Sequence, residues 1–511
     1  MDWPAFWAAT PTHGRADIFY RNYSAMQFLG IDIGTSSTKG VVVDESGRIL
    51  SRSAVAHCVQ SAKAGRVEQD AEKSWWGDSV QVIRSLLTHS AVDREAIAGI
   101  GVSGLFPALL LADRVGAPLR PAILYSDNRA FRELVAFNEH FGLNVTNDAV
   151  PPKLAWLRTH EPDNFSRAQR FFSSHNYVVY RLTGSYCLDY KVADAMGGLL
   201  DRHRLVWGDA VANWAGIRGE DLPALDSEVK IVGSVTEAAS EETGLRPGTP
   251  VIAGSGDSLL ILVSAGAIEQ GDVLVSFGST GWMGFVPHKL EDYFSDPFLI
   301  NQGSPYSLEC YLVALGSALQ WYVDEFGLGE VKKIDKGLTS YELHDELAHK
   351  VPAGSDGVIV LPYFAGGRNV KSPEPKAGVV YGLTLSHTSA HIYRALLESF
   401  GYVVRDALEK LQEKAVNVNR IFCTGGGASS ALWRQIVCDI TGWPLIFHEG
   451  VDPCLGSAYL VGYALSYWDS LNGIKAWLPS EIITLPSSKM QATYEQSYHA
   501  YQSLRSVLSD Y

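Results

Sequence analysis

Two stretches of this chain, close to half its length apart, share one pattern: a β-rich run, a turn of glycine and hydroxyl residues, and a second β-rich run. The first spans Phe28 to Asp44, with Gly34-Thr35-Ser36-Ser37 at its tip. The second spans Asp272 to Phe285, with Gly278-Ser279-Thr280-Gly281 at its tip. Each predicts a hairpin whose tip offers hydroxyls and backbone N–H groups, a combination suited to phosphate oxygens. Two such hairpins at equivalent places imply a duplicated fold. The simplest arrangement is two similar α/β halves facing each other across a cleft, with a nucleotide between them. Asp32 precedes the first tip, where a carboxylate can hold a metal ion directly or through water. Lys39 follows that tip and either adds positive charge or is an exposed lysine.

The midpoint of the chain carries Ala253-Gly254-Ser255-Gly256-Asp257-Ser258. Small residues before a lone carboxylate allow close approach of a ligand and bring a candidate general base to the cleft. The same residues also fit an aspartate capping a helix that starts near Ser258. Further on, Gly316 to Trp321 falls on a helix and includes Gln320. The strand Ile421 to Thr424 feeds Gly425-Gly426-Gly427 and a helix from Ala431 to Thr441. Three glycines at a strand–helix corner let backbone approach a ribose or phosphate. In the first half, the strand Ile97 to Val102 ends in Ser103-Gly104-Leu105-Phe106-Pro107. The runs Ala108 to Ala112 and Ala122 to Arg129 are expected as further strands. They would deliver Asp127 to the ligand face of an open sheet, or pair it with Arg129.

A formal net charge of -14 over 511 residues argues against nucleic acid or an anionic membrane as partner. No apolar run approaches the roughly 18 residues needed to span a bilayer, and the first residues lack the layout of a signal peptide. The six cysteines form no CxxC pair, which suits reduced thiols in a cytoplasmic protein. Residues 1–27 are expected as an extension, 28–254 and 255–468 as the two halves, and 469–511 as a short tail.

Taken together, these motifs resemble the FGGY carbohydrate kinases, in their xylulokinase-like branch. The most specific piece is Gly378-Val-Val-Tyr-Gly382-Leu383 followed, after a short gap, by His391-Ile-Tyr-Arg-Ala-Leu-Leu-Glu398. Asp32 to Lys39 and Ser276 to Thr280 look like the family's two phosphate loops. Gly316 to Trp321 and Gly425 to Trp433 look like its ribose and adenosine motifs. The resemblance implies an actin-like fold of two ribonuclease-H-type domains, the first binding sugar and the second nucleotide. It implies ATP and Mg²⁺, with Asp257 as catalytic base. Gly34, Thr35, Ser36, Ser37, Lys39, Gly278, Ser279, Thr280, Gly316, Gln320, Gly425, Gly426, Gly427 and Ala431 are then expected at the nucleotide, and Asp32 at the metal. Leu105, Phe106, Asp127 and Asp257 are expected at the sugar. The acceptor implied is a ketopentose such as D-xylulose, with glycerol or another polyol as the alternative. A non-catalytic actin-fold ATPase or a sugar sensor would need no base, and a homodimer is left open. One departure stands out. Xylulokinases carry Gly-Gln-Met-His and contact the sugar through the Met-His pair, where this chain has Gly104-Leu105-Phe106-Pro107.

Overall fold

The computed structural model describes residues 26–59, 65–312, 314–326, 339–364 and 377–508. The extension expected over 1–27 therefore lies almost wholly outside the described residues, as does the loop carrying Gly366 to Arg368.

The first hairpin is β1 (Gln27–Ile33) and β2 (Ser37–Asp44), paired antiparallel, and β3 (Ile49–Ala56) continues the meander. Phe28, Leu29, Ile31 and Ile33 are all buried, the pattern of a strand covered on both faces. β4 (Ile97–Gly104) pairs parallel with β1, β6 (Pro250–Ile252) pairs parallel with β4, and β5 (Ile231–Ser234) closes that edge antiparallel to β6. The sheet order is thus β5-β6-β4-β1-β2-β3.

The second half repeats this pattern of pairing. The second hairpin is β7 (Asp272–Phe277) and β8 (Gly281–Phe285), and β9 (Ser307–Leu312) extends it. β10 (Arg420–Thr424) pairs parallel with β7, β11 (Leu445–Phe447) parallel with β10, and β12 (Ile482–Thr484) antiparallel with β11. The order β12-β11-β10-β7-β8-β9 matches the first sheet in the sense of every pairing; only the outermost strand differs in origin, since β5 precedes β6 in the chain whereas β12 follows β11. The duplication expected from two turns extends to five strands in each half, and each sheet adds an antiparallel edge strand from a different place in the chain.

Six helices matter for the site: α1 (Asp257–Ala265), α2 (Leu315–Phe326), α3 (Ser389–Glu413), α4 (Ala431–Thr441), α5 (Pro453–Ala464) and α6 (Gln491–Leu508). α5 lies against β1 and β4 of the first sheet, although its sequence belongs to the second half. Strand glycines make this possible. A Cβ on Gly30 would stand 1.9 Å from the Cys454 carbonyl oxygen, and one on Gly101 2.2 Å from that of Ser457. α1 packs on the other side of α5, where a Cβ on Gly456 would stand 2.3 Å from the Leu260 carbonyl oxygen. The core around α1 and α5 contains Phe28 and Val41 of the first sheet and Leu274 and Phe422 of the second, so it joins the halves.

Two expectations are corrected. Leu110–Ala112 and Ala122–Ile123 do not extend the central sheet; they pair with Arg170–Phe172 and Glu68–Gln69 in two small ribbons. The neighbour β4 takes in the sheet is β6, from far later in the chain. The segment after 468 is no loose tail, because β12 is the second sheet's edge strand and α6 buries Tyr494, Tyr498 and Tyr501 in its core. Arg394 and Glu398 on α3 bind each other and the Tyr494 hydroxyl, which ties α6 down. Among the described residues no helix is long and apolar enough to cross a membrane.

Candidate active site

Asp257 is the first residue of α1, and Gly256 is the N-cap, with extended backbone (φ -65, ψ 148). Asp257 therefore does not cap the helix. The approach is a short strand, Ser255–Gly256, parallel to β4 opposite Ser103 and Gly104. Both glycines are demanded by close contacts. Gly254 has φ +69, and a Cβ there would lie 2.0 Å from the Val102 carbonyl oxygen. A Cβ on Gly256 would lie 2.1 Å from the Phe106 ring. Ser255 Oγ donates to Asp189 Oδ1 (2.7 Å), anchoring the turn from below.

Asp32 lies on β1 between Lys39 of β2 and Ser103 of β4. Ser103 Oγ donates to Asp32 Oδ1 at 2.8 Å. Burial raises the Asp32 carboxyl to about 6; the Ser103 hydrogen bond and Lys39 oppose that rise, and Asp452 adds to it. Asp257 is raised further, to about 8, by burial and then by the negative charge of Asp32. Asp452 caps α5 by accepting from the Leu455 N–H and pairs with Arg52 of β3 at 3.0 Å. Carboxylates from three distant stretches thus act on one another's charge at the seam of the two halves.

The first hairpin tip is braced through its carbonyls. Gly34 O is bonded by His57 Nε2 (3.0 Å), Ser36 O by the His57 N–H (2.9 Å), and Thr35 O by Gln69 Nε2 (2.7 Å). The second tip is gripped by other glycines. The Gly316 N–H at the start of α2 donates to Gly278 O and Ser279 O, both at 3.1 Å. Gly425, at φ +92, brings backbone so close that a Cβ would stand 2.8 Å from the Gly278 nitrogen. Second hairpin, α2 and glycine-rich corner therefore meet backbone to backbone.

Two cavities adjoin this junction. One, of about 670 Å³, is bordered by Gly278, Ser279, Gly316, Gln320, Gly426, Gly427 and Trp433, among others. The other, of about 380 Å³, is bordered by Lys39, Asp257, Ser276, Gly425, Gly426 and Asp452, among others. Gly426 and Ser429 border both. Gly34 to Ser37, Thr280 and Ala431 border neither; Ala431 opens α4 just behind the corner.

Asp127 forms the ion pair with Arg129. Burial opposes its charge, but Arg129 and the backbone N–H groups of Val67 and Arg129 hold its carboxyl below the usual range. Arg129 binds it at 2.7 and 2.8 Å and the Val67 N–H at 2.6 Å, which is the pairing with Arg129 that the sequence offers as one of its two readings. Leu105 is fully buried, and Phe106 packs on the Asp257 turn. Reading the sequence alone misses Arg52 and Asp452 at the smaller cavity, while Ser276 belongs to the expected second phosphate loop. For Asp452 a signal exists: Asp-Pro is an N-cap followed by the residue favoured at the first helical position.

The FGGY family of carbohydrate kinases, N-terminal domain, matches residues 27–264, and its C-terminal domain matches residues 274–465. The chain belongs to this family. A xylulose kinase from Bacillus subtilis (strain 168) is 29% identical over 457 residues, covering 87% of this chain and 89% of the relative. A gluconokinase from the same strain is 27% identical over 476 residues, covering 88% and 90%. The crystal structure of xylulose kinase from Rhodospirillum rubrum superposes with a TM-score of 0.80 at 27% identity, over 94% of this chain and 99% of that one. The duplicated sheets are thus the two ribonuclease-H-type domains of the actin-like fold, and the protein is a sugar kinase, with ATP as the implied phosphoryl donor.

Gly426 offers a local test. A Cβ there meets nothing within 4 Å and its φ is not positive, so a side chain is accepted by the backbone and projects into open space. Gly426→Val is expected to fold normally and to weaken ATP binding by about tenfold, through lost space beside the ribose and phosphates. Calorimetric titration of ATP into both proteins measures this; equal affinity would remove the corner from the nucleotide site.

Proposed function

We propose that the protein transfers the γ-phosphoryl group of ATP to a hydroxyl of a small open-chain sugar or sugar derivative, with Asp257 as general base. The observation that carries this is the placement of Asp257: it borders the small cavity that shares Gly426 and Ser429 with the large one. Adenosine occupies the large cavity, and the phosphates run along the second hairpin tip towards Lys39 and Asp257. The acceptor oxygen forms a bond to the γ-phosphorus, the bond from that phosphorus to the bridging oxygen breaks, and ADP leaves. The hydroxyl proton passes to Asp257, whose raised proton affinity suits a base working near neutral pH. The remaining contribution is positioning by the hairpin tips and exclusion of water from the cleft.

Among the described residues no group of three or more His, Cys, Asp or Glu is placed to hold a metal ion alone. This fits Mg²⁺, which usually takes one or two carboxylates together with substrate phosphates and water. Asp32, buried beside Asp257 and Asp452, carries a charge that a cation would stabilise, and it is the residue we assign to Mg²⁺. When bound, the ion neutralises phosphate charge.

The names of the relatives bracket the acceptor: a ketopentose such as D-xylulose, or an aldonic acid such as gluconate. Coupled ADP release over pentuloses, aldonates, pentitols and glycerol tests the reading. Release is expected to require both an acceptor and Mg²⁺. ADP release independent of every acceptor would favour a non-catalytic actin-fold ATPase instead.

A further inference from the structure

Lys191 lies in the short helix Tyr190–Ala195, and only 6% of it is exposed. Its ammonium sits over two aromatic rings, 4.7 Å from the centre of Tyr306 and 5.5 Å from that of Phe106. Both rings are mounted on the Asp257 turn. Phe106 presses on Gly256, and the Tyr306 hydroxyl and Ser258 Oγ are hydrogen-bonded at 2.6 Å. Gly256 and Ser258 are the two neighbours of Asp257, so the two rings beneath the Lys191 ammonium both rest on residues that flank the candidate base.

Among the described residues the Lys191 ammonium has no hydrogen-bond or ion-pair partner. Nearby carboxylates are engaged elsewhere. Glu228 accepts from the Lys191 backbone N–H (3.1 Å) and the Tyr293 hydroxyl (2.9 Å). Asp189 accepts from Ser255 Oγ and the Val192 N–H, and pairs with His175 at 2.9 Å. The contrast is Lys153, also buried, whose ammonium donates to the Leu124 carbonyl at 2.8 Å. Two ring faces attract a cation but supply no counter-charge, so the site is complementary to an anion still to arrive.

We propose that Lys191 recognises a carboxylate on the acceptor, and that the acceptor is a sugar acid whose distal hydroxyl faces Asp257. The assignment rests on the phosphotransfer reading for the role of that hydroxyl, but not for the binding itself. A single ammonium flanked by apolar ring faces matches one planar, singly charged carboxylate. A phosphate dianion calls for a cradle of several donors, which these rings do not supply. The assignment also accounts for Phe106 at this wall, where it shapes the cation's seat.

The test is calorimetric titration of the full-length protein with D-gluconate and its neutral counterpart D-glucitol, with D-xylonate and D-xylulose, and with D-ribose 5-phosphate. Wild type is expected to bind each aldonate at least about tenfold more tightly than its neutral counterpart, the usual scale of a charge-assisted contact. Lys191→Met keeps the apolar stem and should abolish the difference, while Lys191→Arg should restore most of it. In ADP release, Lys191→Met should raise KM for the aldonate about tenfold with kcat nearly unchanged, the signature of lost uniform binding. Equal wild-type affinity for D-gluconate and D-glucitol overturns the proposal without recourse to any variant. So does tighter binding of D-ribose 5-phosphate, or a folded Lys191→Met that keeps its aldonate affinity. Aldonate binding that depends on Lys191 but yields no ADP would instead sink the phosphotransfer reading and leave the carboxylate assignment standing.

Discussion

Asp257→Asn is expected to lower acceptor-dependent turnover by roughly 10²-fold or more while leaving the fold intact. Asparagine matches aspartate in size, and the position is the first of α1 rather than its cap, so no capping bond is at stake. Burial and Asp32 both penalise the Asp257 charge, so removing it relieves like-charge pressure. The melting temperature should therefore hold or rise slightly. ATP affinity should hardly move, because Asp257 borders the smaller cavity and not the one bounded by Gln320 and Trp433. The measurement pairs thermal unfolding with ADP release, on wild type and variant. A folded Asp257→Asn protein with near-normal turnover would end its assignment as base.

The parts of the site that can be read from the sequence are those written in local turn chemistry. Gly34 to Ser37 and Gly278 to Thr280 announce hairpins because glycine and hydroxyl residues between β-rich runs have few other uses, and their repetition points to the duplicated sheet. Gly425 to Gly427 is legible for the same reason. Edge strands are not, because Ile231–Ser234 and Ile482–Thr484 are too short to carry a period. The placement of α5 on the opposite half's sheet is a long-range contact that no local pattern encodes. Asp127 is the case local pattern leaves open: a carboxylate after a β-run reads either as a ligand residue or as the partner of Arg129, and the structure forms that pair. Lys191 was invisible because its isolation is a property of space. Tyr494, Tyr498 and Tyr501, spaced as one helix face, were a signal for a docked helix in the supposed tail.

Gly30→Ala is expected to destabilise the protein by about 3 kcal/mol or more, at the upper end of overpacking costs. The added methyl would lie 1.9 Å from the Cys454 carbonyl oxygen and 2.8 Å from the Ala458 nitrogen, both backbone atoms of α5. A side chain could rotate away; a helix backbone cannot. α5 cannot retreat either, because Gly456 already lets it rest on the Leu260 carbonyl of α1. β1 is equally fixed, paired with β2 on one side and β4 on the other. The strain falls on the layer that joins the two halves and seats Asp452 at the smaller cavity, so surviving folded protein should also lose activity. Gly426→Ala is the control, since a methyl there meets nothing within 4 Å. Thermal unfolding of the three proteins side by side decides: a melting point for Gly30→Ala within a degree or two of both the wild type and the control would show that α5 does not bear on β1 as closely as this packing requires.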